Sequence, residues 1–238
     1  MTAAIIPARY ASSRFPGKPL IDIHGKTMIM RVYEQCIRAN FTEVIIATDD
    51  ERIQNEALKY NAKVIMTNPK HDNGTQRCAE AATILPANIQ NIVNVQGDEP
   101  FIAIQTLNEI IACLESENYP IVSFCKFIHD VREINSENVV KVITDKDNKA
   151  LYFSRSAIPF NRDKIEPNYY KKHIGLYGFK RNILADLVNL PESKLELYEK
   201  LEQLRWLENG FAIKMLLTEN ESLAIDSPED LDKILSIY

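Results

Sequence analysis

Three basic side chains, Arg9, Arg14 and Lys18, are concentrated in the segment IPARYASSRFPGKPL, and two adjacent carboxylates, Asp98 and Glu99, stand in NVQGDEP far downstream. A further carboxylate, Asp226, precedes Ser227-Pro228-Glu229-Asp230. These residue types match the needs of a nucleoside triphosphate. It carries about four negative charges that call for Arg and Lys donors, and its magnesium takes hard oxygen ligands, one or two of them carboxylates. Arg9, Arg14 and Lys18 suit the first need, and Asp98 with Asp226 suits the second. Blander readings fit the same residues. The basic segment can be a solvated surface loop, and Asp226 can simply lead into a helix that Ser227 caps.

The missing motifs narrow the chemistry. No GxGxxG follows the first apolar stretch, so the dinucleotide fingerprint is absent. The basic segment ends in Gly17-Lys18-Pro19, but Ser12 stands where a Walker loop has its first glycine and Pro19 where it has Ser or Thr. There is no GxSxG elbow for a hydrolase triad. Cys36, Cys78, Cys113 and Cys125 form no CxxC pair, and the four histidines supply no HExxH. A zinc site is not expected, and each cysteine reads as a small buried hydrophobe.

The elements that must position these residues follow from apolar patterning. Ala3 to Ile6 reads as a strand, and Pro7, Pro16 and Pro19 keep the basic segment out of helix. Met28, Ile29, Val32, Tyr33, Cys36 and Ile37 fall at helical spacing; Val44 to Ala47 is a buried strand, and Thr48, Asp49 and Asp50 can cap the helix after it. Val64 to Met66 repeats the strand signal. This is a βαβαβ pattern with helices on both faces of a parallel sheet.

Thr75 begins a helix that turns Cys78, Ala81, Ala82 and Leu85 inward and carries Arg77 near its N-terminus. A cation is disfavoured there, so the expectation is either a ligand anion beside Arg77 or an ordinary exposed arginine. Ile92 to Val95 is a strand that ends at Gln96-Gly97-Asp98-Glu99, where open α/β sheets bind ligands. A helix from Ile104 to Leu114 and a strand from Ile121 follow. Val139 to Ile143 and Ala150 to Phe153 read as a β-hairpin that breaks the alternation. His173 to Phe179 alternates in part. Helices are expected from Arg181 and, as one element, over Leu195 to Glu208, then a strand from Ala212 to Leu217 and a terminal helix from Pro228.

The 238 residues are 45% hydrophobic and 26% charged, an ordinary globular composition, and no linker divides them. A net charge of -5 argues against nucleic acid as a partner. The sequence shows neither a signal-peptide pattern nor a membrane-length apolar run, so no membrane partner and a cytoplasmic location are expected.

Taken in order, IPARYASSRFPGKPL, NVQGDEP, ALYFSRSAIPF, HIGLYGF, LEQLRW and IDSPEDL closely resemble the 3-deoxy-manno-octulosonate (Kdo) cytidylyltransferase family. The resemblance spans nearly the whole chain. It implies a single-domain α/β fold over 1–238, a mostly parallel Rossmann-like sheet of the nucleotide-sugar transferase type, with a hairpin and arm at 139–170 available for dimerisation. It also implies a magnesium-dependent homodimer that condenses CTP with Kdo, releasing pyrophosphate and supplying lipopolysaccharide assembly. Carried over residue by residue, it makes Arg9 and Lys18 ligands of the CTP phosphates with Ala8 beside the nucleotide, and Asp98 and Asp226 the magnesium carboxylates. Arg9, Lys18 and Asp98 are then the catalytic set. Gln96, Arg77, His173, Tyr177, Glu202 and Gln203 are similar to residues of the sugar-acid pocket.

One departure stands out: the family shows an acidic residue in GT[ED]R, and this chain has Gln76 in Gly74-Thr75-Gln76-Arg77. The swap either frees Arg77 for the substrate carboxylate, or marks a different octulosonate, or is simply tolerated. The competing functions are a cytidylyltransferase for another acidic sugar, an 8-amino octulosonate or a sialic acid, and a nucleotide-binding regulator without turnover.

Overall fold

Ala3 and Ile5 point to one side of the first strand, β1 (Thr2–Ala8), and Ala4, Ile6 and Ala8 to the other, so this strand fills two cores at once. The computed structural model describes residues 1–11, 15–117, 119–166, 169–220 and 223–237. After β1, a short 3-10 turn (Lys18–Leu20) and the hairpin of β2 (Asp22–Ile23) and β3 (Lys26–Thr27) lead into α1 (Met28–Arg38). Then come β4 (Glu43–Thr48), α2 (Glu51–Lys59), β5 (Val64–Met66), α3 (Gly74–Thr83), β6 (Asn91–Asn94), α4 (Ile104–Ser116) and β7 (Ile121–Phe127). The second half holds α5 (Val131–Asn135), β8 (Lys141–Thr144), β9 (Ala150–Ser154), β10 (Lys171–Lys180) and α6 (Arg181–Leu187). It ends with α7 (Lys194–Glu199), α8 (Gln203–Glu208), β11 (Ile213–Leu217) and α9 (Pro228–Ile237).

The main sheet runs in the order β11-β7-β10-β6-β1-β4-β5. β1 pairs in parallel with β4 and β6, β4 with β5, and β7 with β11. α1, α2 and α4 cover one face, while α3, α6 and α8 cover the other. This is the single-domain, mostly parallel α/β architecture that the βα alternation predicts.

Three features go beyond or amend the sequence reading. β10 runs antiparallel between β6 and β7, because the hairpin β8–β9 reverses the chain before it re-enters the sheet. Its end is buried on both faces, with Leu176, Tyr177, Gly178 and Phe179 all inside, which is why its alternation is only partial. Gly178 lets α4 lie close over this strand: a Cβ there would meet Leu114 Cδ1 at 2.6 Å. The helix expected over Leu195 to Glu208 is two helices. A capping box of Ser193 and Glu196 starts α7, and Lys200 in the left-handed region (φ 53°) ends it. The break buries Leu201 and sends Glu202 inward. α5 gave no periodic signal at five residues.

A small third cluster joins distant parts of the chain. Ile23 and Met28 pack with Ile225 and Ile234, flanked by Phe15, Phe101, Leu223 and Leu231. It pins the segment before α9 against the β2–β3 hairpin. All four cysteines are buried, and burial pushes their thiols up, as expected of packing residues. Among the described residues, no helix is long and apolar enough to cross a membrane.

Candidate active site

At the C-terminal ends of β1 and β6 the chain leaves the sheet in two loops that must pass close together. Val95 N–H donates to Ile5 O at 3.0 Å, and a Cβ on Gly97 would lie 3.0 Å from the Pro7 carbonyl oxygen, so glycine sets this approach. Gly17, with φ 73°, turns the first loop back: its N–H donates to Tyr10 O at 3.0 Å, and Lys18 follows at the start of the 3-10 turn. Ile225 N–H donates to Asp98 O at 3.0 Å, which draws the segment before α9 onto the β6 loop. Ser227 and Asp230 close the capping box of α9, with Ser227 N–H donating to Asp230 Oδ2 at 2.9 Å. The helix-start reading of this segment therefore holds, and it positions Asp226.

The result is a cavity of about 340 Å³, within the usual size for a small-molecule site. Ala8, Arg9 and Lys18 line one side, and Gln96, Gly97, Asp98 and Asp226 another. Asp72, Asn73, Gly74 and Arg77 form the rest. The Lys18 ammonium lies 2.7 Å from Asp98 Oδ2 and 3.1 Å from Asp226 Oδ1. Residues 80 and 208 positions apart from Lys18 in sequence thus share one cation. Arg9 is exposed at the rim. Arg14, expected beside it, lies outside the described residues.

Arg77 is not the ordinary exposed arginine of the sequence reading. It is 3% exposed, donates from Nη2 to Asp49 Oδ2 at 2.8 Å, and donates from Nη1 to Thr67 Oγ1. The anion that the helix N-terminus demanded is supplied by the protein, by an aspartate at the end of β4. Gln76 does not free this arginine. Its Oε1 accepts the Asp72 N–H at 2.9 Å, a task a carboxylate would also perform.

Glu202 meets the same loop from behind. Asn73 Nδ2 and Thr75 Oγ1 donate to its carboxylate at 3.1 and 2.8 Å, while Asn73 Oδ1 caps α3 by accepting Gln76 N–H at 2.9 Å. Burial pushes the Glu202 carboxyl up. Gln203, His173 and Tyr177 are not among the residues that line this cavity. Gln203 is buried at the start of α8. His173 and Tyr177 belong to an aromatic group: His173 sits edge-on to Phe153 at 5.0 Å, and Tyr177 edge-on to Trp206 at 5.1 Å. Burial, then the charge of Glu202, pushes the Tyr177 phenol up.

Asp49, Thr67 and Asn73 were missed as site residues. Asp49 directly follows β4 as Asp98 comes after β6, so the strand-end argument applies to both; its expected capping role for α2 concealed it, and Asp50 does that capping.

Burial lowers the His173 pKa to about 3, so the ring is neutral at neutral pH. The folded state then binds fewer protons than the unfolded chain between its ordinary value near 6.5 and the lowered one. Stability is expected to fall on acidification through that window by about 1.4 kcal/mol per pH unit from this group. Glu202, raised, acts in the opposite sense. Urea unfolding between pH 7 and 5 should therefore show a shallower loss in His173→Gln than in the parent, and parallel profiles would contradict the assignment.

Cations on one strand exit facing carboxylates on the next suit a polyphosphate held with a divalent ion, which places the chain in the class of nucleotide-handling α/β proteins. Its residues 3–219 match the model of the Cytidylyltransferase family. The 3-deoxy-manno-octulosonate cytidylyltransferases of Parabacteroides distasonis and Geobacter sulfurreducens are each 46% identical to it, covering 98% of this chain and 96% and 97% of their own lengths. A solved CMP:2-keto-3-deoxy-manno-octonic acid synthetase in complex with CTP superposes with a TM-score of 0.93 at 36% identity, over 99% of this chain and 97% of that one. A cytidylyltransferase from Leptospira borgpetersenii, at 18% identity and a TM-score of 0.66 over 99% and 85% of the two chains, shares the fold alone. The chain belongs to the 3-deoxy-manno-octulosonate cytidylyltransferase family.

Proposed function

We propose that this protein transfers CMP from CTP to the anomeric hydroxyl of 3-deoxy-manno-octulosonate, releasing pyrophosphate and giving the activated sugar for lipopolysaccharide assembly. The observation that carries this reading is the convergence of Arg9, Lys18, Asp98 and Asp226 on one cavity in a chain so similar to a CTP-bound synthetase. The anomeric oxygen attacks the α-phosphorus in line; its bond to phosphorus forms as the bond to pyrophosphate breaks. No protein nucleophile is required. Arg9 and Lys18 neutralise charge on the departing pyrophosphate, and Gln96 and Arg77 face the acceptor side.

Magnesium fits the acids present. Asp98 and Asp226 already direct oxygens at a single cation, and magnesium takes few carboxylates and completes its shell with phosphate oxygens and water. Among the described residues no group of three or more acidic, histidine or cysteine side chains competes as a metal centre. When bound, the ion would supply charge neutralisation on the triphosphate and orient the attacking hydroxyl. Asp98 and Asp226 would hold it.

The arm after β9 supports the homodimer. Phe160, Ile165 and Tyr169 are 87%, 66% and 59% exposed, an apolar patch that a second copy of the chain would cover. Sedimentation should give a dimer for the parent and a shift toward monomer for Phe160→Asp; a parent monomer would remove the dimer from the reading. CTP and a free sugar acid as substrates suit the cytoplasm. The decisive assay is magnesium-dependent pyrophosphate release with CTP, UTP and ATP against Kdo, its 8-amino analogue and a sialic acid. Preference for CTP with Kdo is expected. CTP binding without turnover on any acid would favour a regulator.

A further inference from the structure

Ser123, at the middle of β7 and fully buried, lies opposite an irregularity in β10, where the register shifts between Ile174 and Gly178. Its Oγ lies within 3.1 Å of three groups, Ile174 O at 3.1 Å, Leu176 O at 3.0 Å and His173 Nε2 at 3.0 Å, and it also interacts with the Tyr177 phenol. Two of these are carbonyl oxygens, which only accept. A hydroxyl has one hydrogen, and with it turned toward His173 the Ser123 lone pairs would face both carbonyl oxygens, a repulsive arrangement in a dry site. The hydrogen therefore belongs on the carbonyl side, and Oγ meets the imidazole as an acceptor. His173 Nε2 must then carry a proton.

Burial holds the ring neutral, so a proton on Nε2 leaves Nδ1 bare. Among the described residues no hydrogen bond to Nδ1 is formed, and His173 as a residue keeps part of its surface exposed. We propose that Ser123 is a positioning residue that fixes His173 as the Nε2–H tautomer, so that Nδ1 presents a hydrogen-bond acceptor to a hydroxyl of the sugar acid. This rests on the reading that His173 lines the sugar subsite. It assigns the histidine a neutral, accepting role and leaves the substrate carboxylate to cationic groups. It also gives a reason for a hydroxyl at position 123, where a strand core otherwise takes an apolar residue.

The test has two independent readouts. Nitrogen-15 NMR of the labelled parent protein, with the His173 signals identified by their loss in His173→Gln, should show Nε2 protonated and Nδ1 bare at pH 7. An Nδ1–H or an even mixture of tautomers overturns the proposal without any variant having to fold. In Ser123→Ala the tautomer should become mixed, and KM for the sugar acid should rise about tenfold, the worth of one good hydrogen bond, with KM for CTP unchanged. A merely structural serine would lower stability but leave the tautomer in place, and that result overturns the proposal. If the Nε2–H tautomer is found and both Ser123→Ala and His173→Gln leave the sugar KM unchanged, the proposed link to substrate is overturned, and the fault lies in placing His173 at the sugar.

Discussion

Replacing Asp98 by Asn is expected to lower turnover at least a thousandfold, about 4 kcal/mol of transition-state stabilisation, while the protein folds as before. The amide is nearly isosteric, and its oxygen can still accept from Lys18, now 2.7 Å from the carboxylate. The backbone bond from Ile225 to the Asp98 carbonyl is untouched, so the segment carrying Asp226 keeps its place. What disappears is a full negative charge in a pocket where Asp226 is the other carboxylate facing Lys18. With half of that charge gone, a divalent ion loses most of its hold, and the triphosphate loses the counter-charge that makes its α-phosphorus open to attack. Pyrophosphate release at saturating CTP, paired with circular dichroism and a thermal melt, measures both halves of the claim. Near-normal release by a folded Asp98→Asn protein would deny the residue its metal role.

The strands and helices that hold this acid were legible because each rests on local pattern. β1, β4 and β6 are short apolar runs bounded by polar or turn residues, and α1, α3 and α4 carry buried residues at helical spacing. Strand direction is not a local property, and nothing in HIGLYGF says that β10 enters the sheet antiparallel. The same limit explains the broken helix at Lys200. LELYEKLEQLRW keeps helical spacing across the break, and the turn there is a lysine in the left-handed region rather than a glycine or proline, so no punctuation marks it.

The site divides along the same line. Lys18, Asp98 and Asp226 were suggested by charge type and placement at strand and helix ends, and the fold brings them within hydrogen-bond distance of one another. Arg77 lines the cavity but is paired inside the protein, because Asp49, from another strand end, accepts from it. A sequence shows that a cation sits at an awkward helix terminus; it does not show whether substrate or side chain relieves the conflict. Glu202 braces Asn73 and Thr75 at the start of α3, a contact between residues far apart in the chain that no local pattern announces.

Lys18→Met should separate two roles that Lys18 combines. Its ammonium bridges Asp98 and Asp226, the two acids that would hold a divalent cation. With magnesium held by these acids and CTP bound, the ammonium would turn from carboxylate to phosphate. Methionine keeps most of the length and packing of the side chain but cannot make either contact. Removing the ammonium takes away one cation shared by both carboxylates, so a divalent ion would meet less competition for them. Magnesium is expected to bind about tenfold more tightly to the variant, a shift of about 1.4 kcal/mol. Turnover should move the other way, by about a hundredfold or more, because a donor to the leaving pyrophosphate is lost. Calorimetric titration of magnesium in the absence of nucleotide reads the first effect, and pyrophosphate release at saturating metal reads the second. A variant that bound metal more weakly than the parent would show that Lys18 organises the acids and does not compete for them. Normal turnover would show that the ammonium never reaches the phosphates.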